Sequence, residues 1–199
     1  MDCFSAVNKK RGKPATPRPQ IPATAFARLS ALEHGIDILA TTDGKGMGAF
    51  STVAIVKGDV LGEYTGERMT RKEIEARYWE LRKINKHDRK WLNSRKRRDQ
   101  GITGDYLFDM GNDSFVDGED ADCSSWCRFA NHADPGTIYC NVEVCARLPG
   151  AVAGTAADTP IASSTDIYHL YLIALVDITV GSELCYDYGE NYWDGGGFD

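Results

Sequence analysis

The sequence predicts a mainly β fold in a single domain. Its 199 residues are enough for one domain with a full hydrophobic core. Short strand-like runs recur along the chain with glycine-containing turns between them, and a single long segment has helical composition. Hydrophobic residues make up 42% and charged residues 26% of the chain, which is ordinary for a globular protein and excludes a fibre.

The first elements lead into a glycine-dense loop at residues 42–50. Residues 1–22 are polar, basic and proline-containing, so we expect a disordered basic tail, in which Lys9-Lys10-Arg11 is a candidate nuclear address. Residues 23–35 predict a short flanking helix that stops near Gly35. Three strands are predicted around and after the loop, at residues 36–40, 49–56 and 60–64.

A capping box at Thr70-Arg-Lys-Glu73 begins the helical segment, which we expect to run as one helix to about Arg98 within an insertion at residues 68–104. From Arg68 to Arg98 there are 13 Lys and Arg against 4 Asp and Glu, a local charge of +9. The net charge of the whole chain is −6, so the remainder carries −15. The charge is therefore divided between regions of opposite sign.

An acidic run lies at residues 105–122, with seven Asp and Glu and no Lys or Arg. Such a run would attract a Lys- and Arg-rich peptide, and the basic helix from Arg68 to Arg98 would contact nucleic-acid phosphates. The alternative is that each is a solvated face without a partner.

The second half of the chain again reads as strands. Residues 106–108 and 114–116 predict a hairpin around Asn112-Asp113, and residues 127–133 form a short, partly apolar segment. Two further strands are predicted at residues 138–146 and 167–176. Residues 148–166 between them predict a loop, and residues 194–199 a flexible end.

Six cysteines occur without a secretory signal, which favours reduced thiols. Cys123, Cys127, Cys140 and Cys145 could form a four-thiolate zinc site, but we favour buried free thiols, because strand parity sends Cys140 and Cys145 to opposite faces. No apolar run would span a bilayer. We expect a soluble protein without a metal or a membrane contact, in the nucleus or otherwise in the cytoplasm.

Two tyrosines stand one residue apart near the end of the chain. In an extended segment, Tyr186 and Tyr188 would face the same side and Asp187 the other. Two phenols on one face can line a narrow slot for a long apolar stem that ends in an amine. An ordinary core edge would also accommodate them.

Two further motifs are weak by themselves. Gly44-Lys-Gly-Met-Gly48 fits neither nucleotide-binding pattern, but its glycines permit close approach of a ligand to the main chain. Asn131-His132 is as compatible with a structural pair as with a catalytic base.

Five segments taken in order resemble the SET-domain protein lysine methyltransferases over residues 36–193. They are Lys45-Gly-Met-Gly-Ala-Phe50, Gly62-Glu-Tyr-Thr-Gly66, Asp105-Tyr-Leu-Phe108, Arg128-Phe-Ala-Asn-His132 and Glu183-Leu-Cys-Tyr-Asp-Tyr-Gly189. The resemblance implies a β-clip fold of short sheets, in which a pseudoknot-like crossing joins the Asn-His segment to the tyrosine segment.

The resemblance also implies a cofactor, S-adenosylmethionine, and the residues that would hold it. These are Lys45, Gly46, Met47, Gly48, Tyr106, Arg128, Phe129, Asn131 and His132. The target lysine would enter a channel lined by the catalytic Tyr64, Tyr186 and Tyr188. A histone tail is the favoured substrate. Because the residue two before the last tyrosine limits the number of methyl groups in this family, Tyr186 predicts mainly monomethylation.

The sequence departs from many relatives at its end. No cysteine follows Cys185, so the zinc-binding tail that closes the channel in those relatives is not expected. Tyr192 and Trp193 would close it instead, with Trp193 either covering the cofactor or serving as a core residue. Two other function classes remain open: a SET-fold module that binds chromatin or protein without turnover, and a zinc-stabilised scaffold.

Overall fold

The computed structural model describes residues 24–147, 168–189 and 192. Their helices are α1 (Ala25–Glu33), α2 (Arg71–Arg77) and α3 (Lys86–Arg97), with a short 3-10 helix at Trp126–Phe129. Their strands are β1 (Ile36–Ala40), β2 (Met47–Ser51), β3 (Val60–Tyr64), β4 (Glu67–Thr70), β5 (Leu107–Asp109), β6 (Ser114–Asp117), β7 (Asn131–His132), β8 (Val142–Arg147), β9 (His169–Ala174) and β10 (Cys185–Tyr186).

The strands form small sheets, as the mainly β prediction requires. β1 and β2 pair antiparallel, and two three-stranded antiparallel sheets have the orders β3-β9-β8 and β4-β6-β5. β7 and β10 pair in parallel although they are distant in sequence, with Tyr186 opposite His132. This pairing joins the Asn-His segment to the tyrosine segment, as the predicted crossing requires.

Most predicted elements are confirmed, and the differences have local causes. The short helix begins at its Thr24 cap, and β1, β3 and the hairpin of β5 and β6 lie where expected. The strand predicted at residues 49–56 is shifted to β2, because its pairing with the five residues of β1 ends at Ser51 opposite Ile36. Cys140 precedes β8, so the parity argument for that thiol is wrong.

The basic insertion is two helices, so the prediction of one helix is wrong. α2 ends at Arg77, and α3 begins at a second capping box, in which the Asn85 side chain accepts from the backbone N–H of Asp88. The Asn85-x-x-Asp88 spacing is the sequence signal for this second start. Between the helices, the Tyr78 ring is buried in a small core cluster with Ile74 and Phe115, and Glu80 has a φ of 56°, which a right-handed helix does not continue through.

The acidic run is not a free acidic surface, which corrects the expectation from charge. Asp117, Glu119 and Asp120 are buried. The fully buried guanidinium of Arg95 donates to Asp117 at 2.8 Å, and Arg98 donates to Asp120 at 2.6 Å. The two regions of opposite charge therefore neutralise each other in part inside the molecule.

Burial raises the pKa of Asp117 to about 6, with Arg95 opposing the shift and Glu119 adding to it. The Tyr78 hydroxyl also donates to this carboxylate, at 2.5 Å. Because the folded pKa lies above the unfolded value of about 4, the carboxyl contributes stability below about pH 4 that is lost as the pH rises through about 6.

We therefore expect the free energy of unfolding of the wild type, measured relative to Asp117→Asn, to fall as the pH rises from about 4 to 6. Urea unfolding of both proteins across this range measures it. A difference that stays flat or rises with pH would contradict the raised pKa.

The flexible segments predicted at residues 1–22, 148–166 and 194–199 lie outside the described residues. In the part that is described, no helix is long and apolar enough to cross a membrane.

Candidate functional site

Three tyrosines from distant parts of the chain converge in the main core. Tyr64 ends β3, Tyr186 ends β10 and Tyr188 follows it, and each is at most 5% exposed. The ring centroids of Tyr186 and Tyr188 are 4.7 Å apart. Phe108 lies between the segments, with its ring centroid 4.6 Å from that of Tyr64 and 5.8 Å from that of Tyr186.

The predicted period-two geometry holds at this end of the chain. Tyr186 and Tyr188 are buried on the same side, while Asp187 between them is exposed. The backbone N–H of Tyr188 donates to Nδ1 of His132 at 3.2 Å. The Asn-His segment therefore also positions the backbone of Tyr188.

Two of the three hydroxyls have their protons committed to the main chain. Tyr188 Oη donates to the carbonyl of Ala130 at 2.9 Å, and Tyr64 Oη donates to the carbonyl of Tyr106 at 2.9 Å. Burial raises the pKa of Tyr64 well above its usual value. Tyr64 therefore remains a neutral phenol at physiological pH, with oxygen lone pairs left to accept a hydrogen bond.

A cavity of about 10 Å³ lies among these rings. Its lining consists of Tyr64, Asp105, Tyr106, Phe108, Arg128, Tyr186 and Tyr188. The volume is about that needed for one water molecule. Entry of a lysine side chain therefore requires the lining to open.

Arg128 places a buried cation beside this cavity. Its side chain belongs to a residue only 5% exposed, and its Cζ lies 4.5 Å from the centre of the Tyr106 ring. Nη1 donates to the carbonyl of Glu119 at 3.2 Å, but Nε and Nη2 have no hydrogen-bond partner among the described residues. Buried donors of this kind require an acceptor, so the site is suited to an anionic or carbonyl group.

The glycine loop is held by Asn131 and by a carboxylate that the sequence did not single out. Asn131 Nδ2 donates to the carbonyl of Met47 at 3.2 Å and to Oε1 of Glu183 at 2.7 Å. A Cβ on Gly48 would lie 2.7 Å from that same Oε1. Only glycine fits at position 48 while Glu183 orients the Asn131 amide.

The remaining predicted cofactor residues have different surroundings. Gly46 has a φ of 97°, which favours glycine. Lys45 is exposed and forms an ion pair with Asp43 at 2.9 Å, so its side chain lies apart from the buried tyrosines and from Asn131. Phe129 is buried against Arg128, and His132 Nε2 lies 3.2 Å from Asp134. Trp193 lies outside the described residues.

The structure thus forms one group of Tyr64, Tyr106, Arg128, Tyr186 and Tyr188 and a second around Met47, Gly48 and Asn131. Sequence reasoning missed Phe108, Glu183 and Asp105 as members. Phe108 had a usable signal, since in the strand predicted at residues 106–108 it would share a face with Tyr106.

The alternative hypothesis of a zinc site formed by the cysteines is not supported by the geometry of the described residues. Over residues 24–147 and 168–189, no group of three or more His, Cys, Asp and Glu side chains is placed to hold a metal. The expectation of buried thiols holds for Cys127, where burial raises the thiol pKa to about 12, but it is wrong for Cys123, which is exposed, and for Cys140 and Cys145, which are half-buried.

Comparison with known families agrees with the geometry of the site. A family model described as the SET domain matches residues 46–189, which is most of the chain and includes both groups of site residues. SET domains in general methylate protein lysines and use S-adenosylmethionine. No curated protein matches the chain. The chain belongs to the SET-domain family.

Proposed function

We propose that this protein transfers a methyl group from S-adenosylmethionine to the ε-amine of a protein lysine, within the channel formed by Tyr64, Tyr186 and Tyr188. The strongest support is that these three buried tyrosines converge on one cavity beside a buried arginine, two of whose donors have no hydrogen-bond partner in the described part of the chain.

The described residues fit the cofactor that the family uses. Its carboxylate is an acceptor of the kind that Arg128 Nε and Nη2 require. The main chain of Gly46, Met47 and Gly48, together with Asn131 and His132, would hold the rest, and Tyr106 and Phe129 would pack against it. When bound, S-adenosylmethionine supplies an electrophilic methyl group on a sulfonium.

The chain's own residues must then present a neutral amine. A free lysine has a pKa of about 10.4, and transfer into a buried aromatic channel favours its neutral form. The proton leaves to solvent. Tyr64 and Tyr188 would accept the remaining N–H groups, since their own protons are donated to backbone carbonyls. Two such contacts would direct the nitrogen lone pair, and the tight cavity would exclude water.

We propose mainly monomethylation. The Tyr186 ring is 5% exposed and packs against both Tyr188 and Phe108, so its hydroxyl occupies space that a methylated amine would need in order to turn.

In Tyr186→Phe, we expect the share of dimethyl- and trimethyllysine to rise, since the hydroxyl volume is removed while the ring packing is kept. Mass spectrometry of the product peptides measures this share. Tyr171→Phe is the matched control, because Tyr171 lies on β9 and does not line the cavity. A wild-type enzyme that already forms trimethyllysine would contradict the role of Tyr186.

We propose a histone tail as the substrate, which would require a nuclear location. The support is Asp105, a residue of the acidic run that lines the cavity and would attract a cationic side chain. The test is incubation of the purified protein with S-adenosylmethionine and core histones, followed by intact-mass analysis. Methylation of lysine in a non-histone protein, with none on histones, would overturn the proposed substrate class but not the proposed methyl-transfer reaction.

A further inference from the structure

The outward side of α3 carries a dense group of cations. Successive residues of an α-helix are rotated by about 100°, which places five cations within an arc of about 120°. They are Lys86, Arg89, Lys90, Lys96 and Arg97, all exposed, with the exposed Asn93 among them. We call these six residues the outer face of α3; it extends about 16 Å along the helix axis.

The cations of this face form no ion pair with any carboxylate that the structure describes. Among the described residues, the ion pairs of the basic segment involve other residues, chiefly Arg77, Arg95 and Arg98. Arg77 and Arg95 are buried with their carboxylate partners, so part of the +9 charge of residues 68–98 is neutralised inside the fold. Five of the exposed cations of this segment lie together on the outer face of α3.

The inner side of the same helix fixes this face in place. Asp88 is 1% exposed and accepts from Arg77 Nε at 3.0 Å, while Arg95 is fully buried and bound to Asp117 and Glu67. The outer face is therefore presented by a helix docked through buried ion pairs. Because these cations are already held on an ordered helix, binding would not require a loop to become ordered.

The chemistry of the face indicates a polyanion. A protein interface usually has an apolar or aromatic centre, and the outer face of α3 has neither. Lys, Arg and Asn side chains are those that contact nucleic-acid phosphates. Lys90, Asn93, Lys96 and Arg97 surround one open depression of about 590 Å³, so four of the six side chains face a shared space.

We propose that the outer face of α3 binds the phosphate backbone of double-stranded nucleic acid. With up to five phosphate contacts, log K should fall with log salt with a slope of about −4 to −5. The contacts carry no sequence information, so affinity should not depend on the sequence of the duplex.

The test is fluorescence anisotropy of a labelled DNA duplex with the full chain and no methyl donor. The double variant Lys90→Gln, Arg97→Gln is compared with Arg28→Gln, Lys57→Gln, which removes two exposed cations from α1 and from the turn before β3. We expect the α3 variant to bind at least about tenfold more weakly and to lower the salt slope by about 2, with the control close to wild type. Circular dichroism checks that both variants fold.

Three results would overturn the proposal. These are no binding by the wild type at low salt, equal weakening by the two double variants, and binding to phosphatidylserine vesicles without binding to DNA. Because the measurement involves no catalysis, its outcome is independent of whether the protein proves to be a methyltransferase.

Discussion

Tyr188→Phe is expected to lower the rate of methyl transfer at saturating substrate about 100-fold or more, while the affinity for S-adenosylmethionine changes little. The Tyr188 hydroxyl donates to the Ala130 carbonyl, which fixes its oxygen as an acceptor at the cavity. Loss of one preorganised polar group at a reacting centre costs about 10²–10³ in rate. Loss of the hydroxyl leaves the buried Ala130 carbonyl without this donor, which costs about 1–3 kcal/mol of stability, so the variant should still fold.

Steady-state kinetics and calorimetric titration of S-adenosylmethionine separate these effects. Tyr171→Phe serves again as the control, because it removes a hydroxyl from a half-buried tyrosine outside the cavity. A Tyr188→Phe enzyme with at least half the wild-type rate would show that this hydroxyl does not orient the amine.

Arg95→Met is expected to destabilise the fold by about 3–5 kcal/mol at neutral pH. Arg95 is fully buried, and its Nη2 donates to Asp117 at 2.8 Å and to Glu67 at 3.0 Å. Removing one partner of a buried ion pair leaves the other charge without compensation. Methionine keeps much of the side-chain volume, so the loss reports on charge more than on packing.

Urea unfolding gives the free energy, and Arg97→Met is the matched control two residues away. Arg97 is exposed on the outer face of α3, so its replacement should change the free energy of unfolding by less than about 0.5 kcal/mol. Equal destabilisation by the two variants would mean that the buried ion pairs of Arg95 do not hold α3 against the rest of the domain.

This docking also supports the cavity that the three tyrosines line. Asp117 is followed by Gly118, where a Cβ would lie 2.5 Å from the Tyr64 hydroxyl, and the Gly118 N–H donates to the same Tyr106 carbonyl that Tyr64 uses. The ion pairs under α3 therefore lie one residue from the wall of the channel.

Local patterns in the sequence predicted the features that depend on neighbouring residues alone. Alternation placed Tyr186 and Tyr188 on one face, and the strand bounds of β1 and β3 followed from their apolar runs. The family resemblance predicted the SET-domain fold, which the match over residues 46–189 confirms.

Long-range pairing could not be predicted in this way. The acidic run and the basic segment looked like two surfaces, because only the folded chain brings Arg95 against Asp117. Likewise, no local pattern indicated a role for Glu183, which only the folded chain brings beside Asn131 and Gly48.

Transfer of a labelled methyl group from S-adenosylmethionine to protein lysine tests the central claim most directly. We predict label in lysine of an offered basic protein with the wild type, and about a hundredfold less with Tyr188→Phe. Cofactor binding by both proteins without label in any lysine, over a panel of histone and non-histone substrates, would contradict the claim and favour a SET fold that binds without turnover.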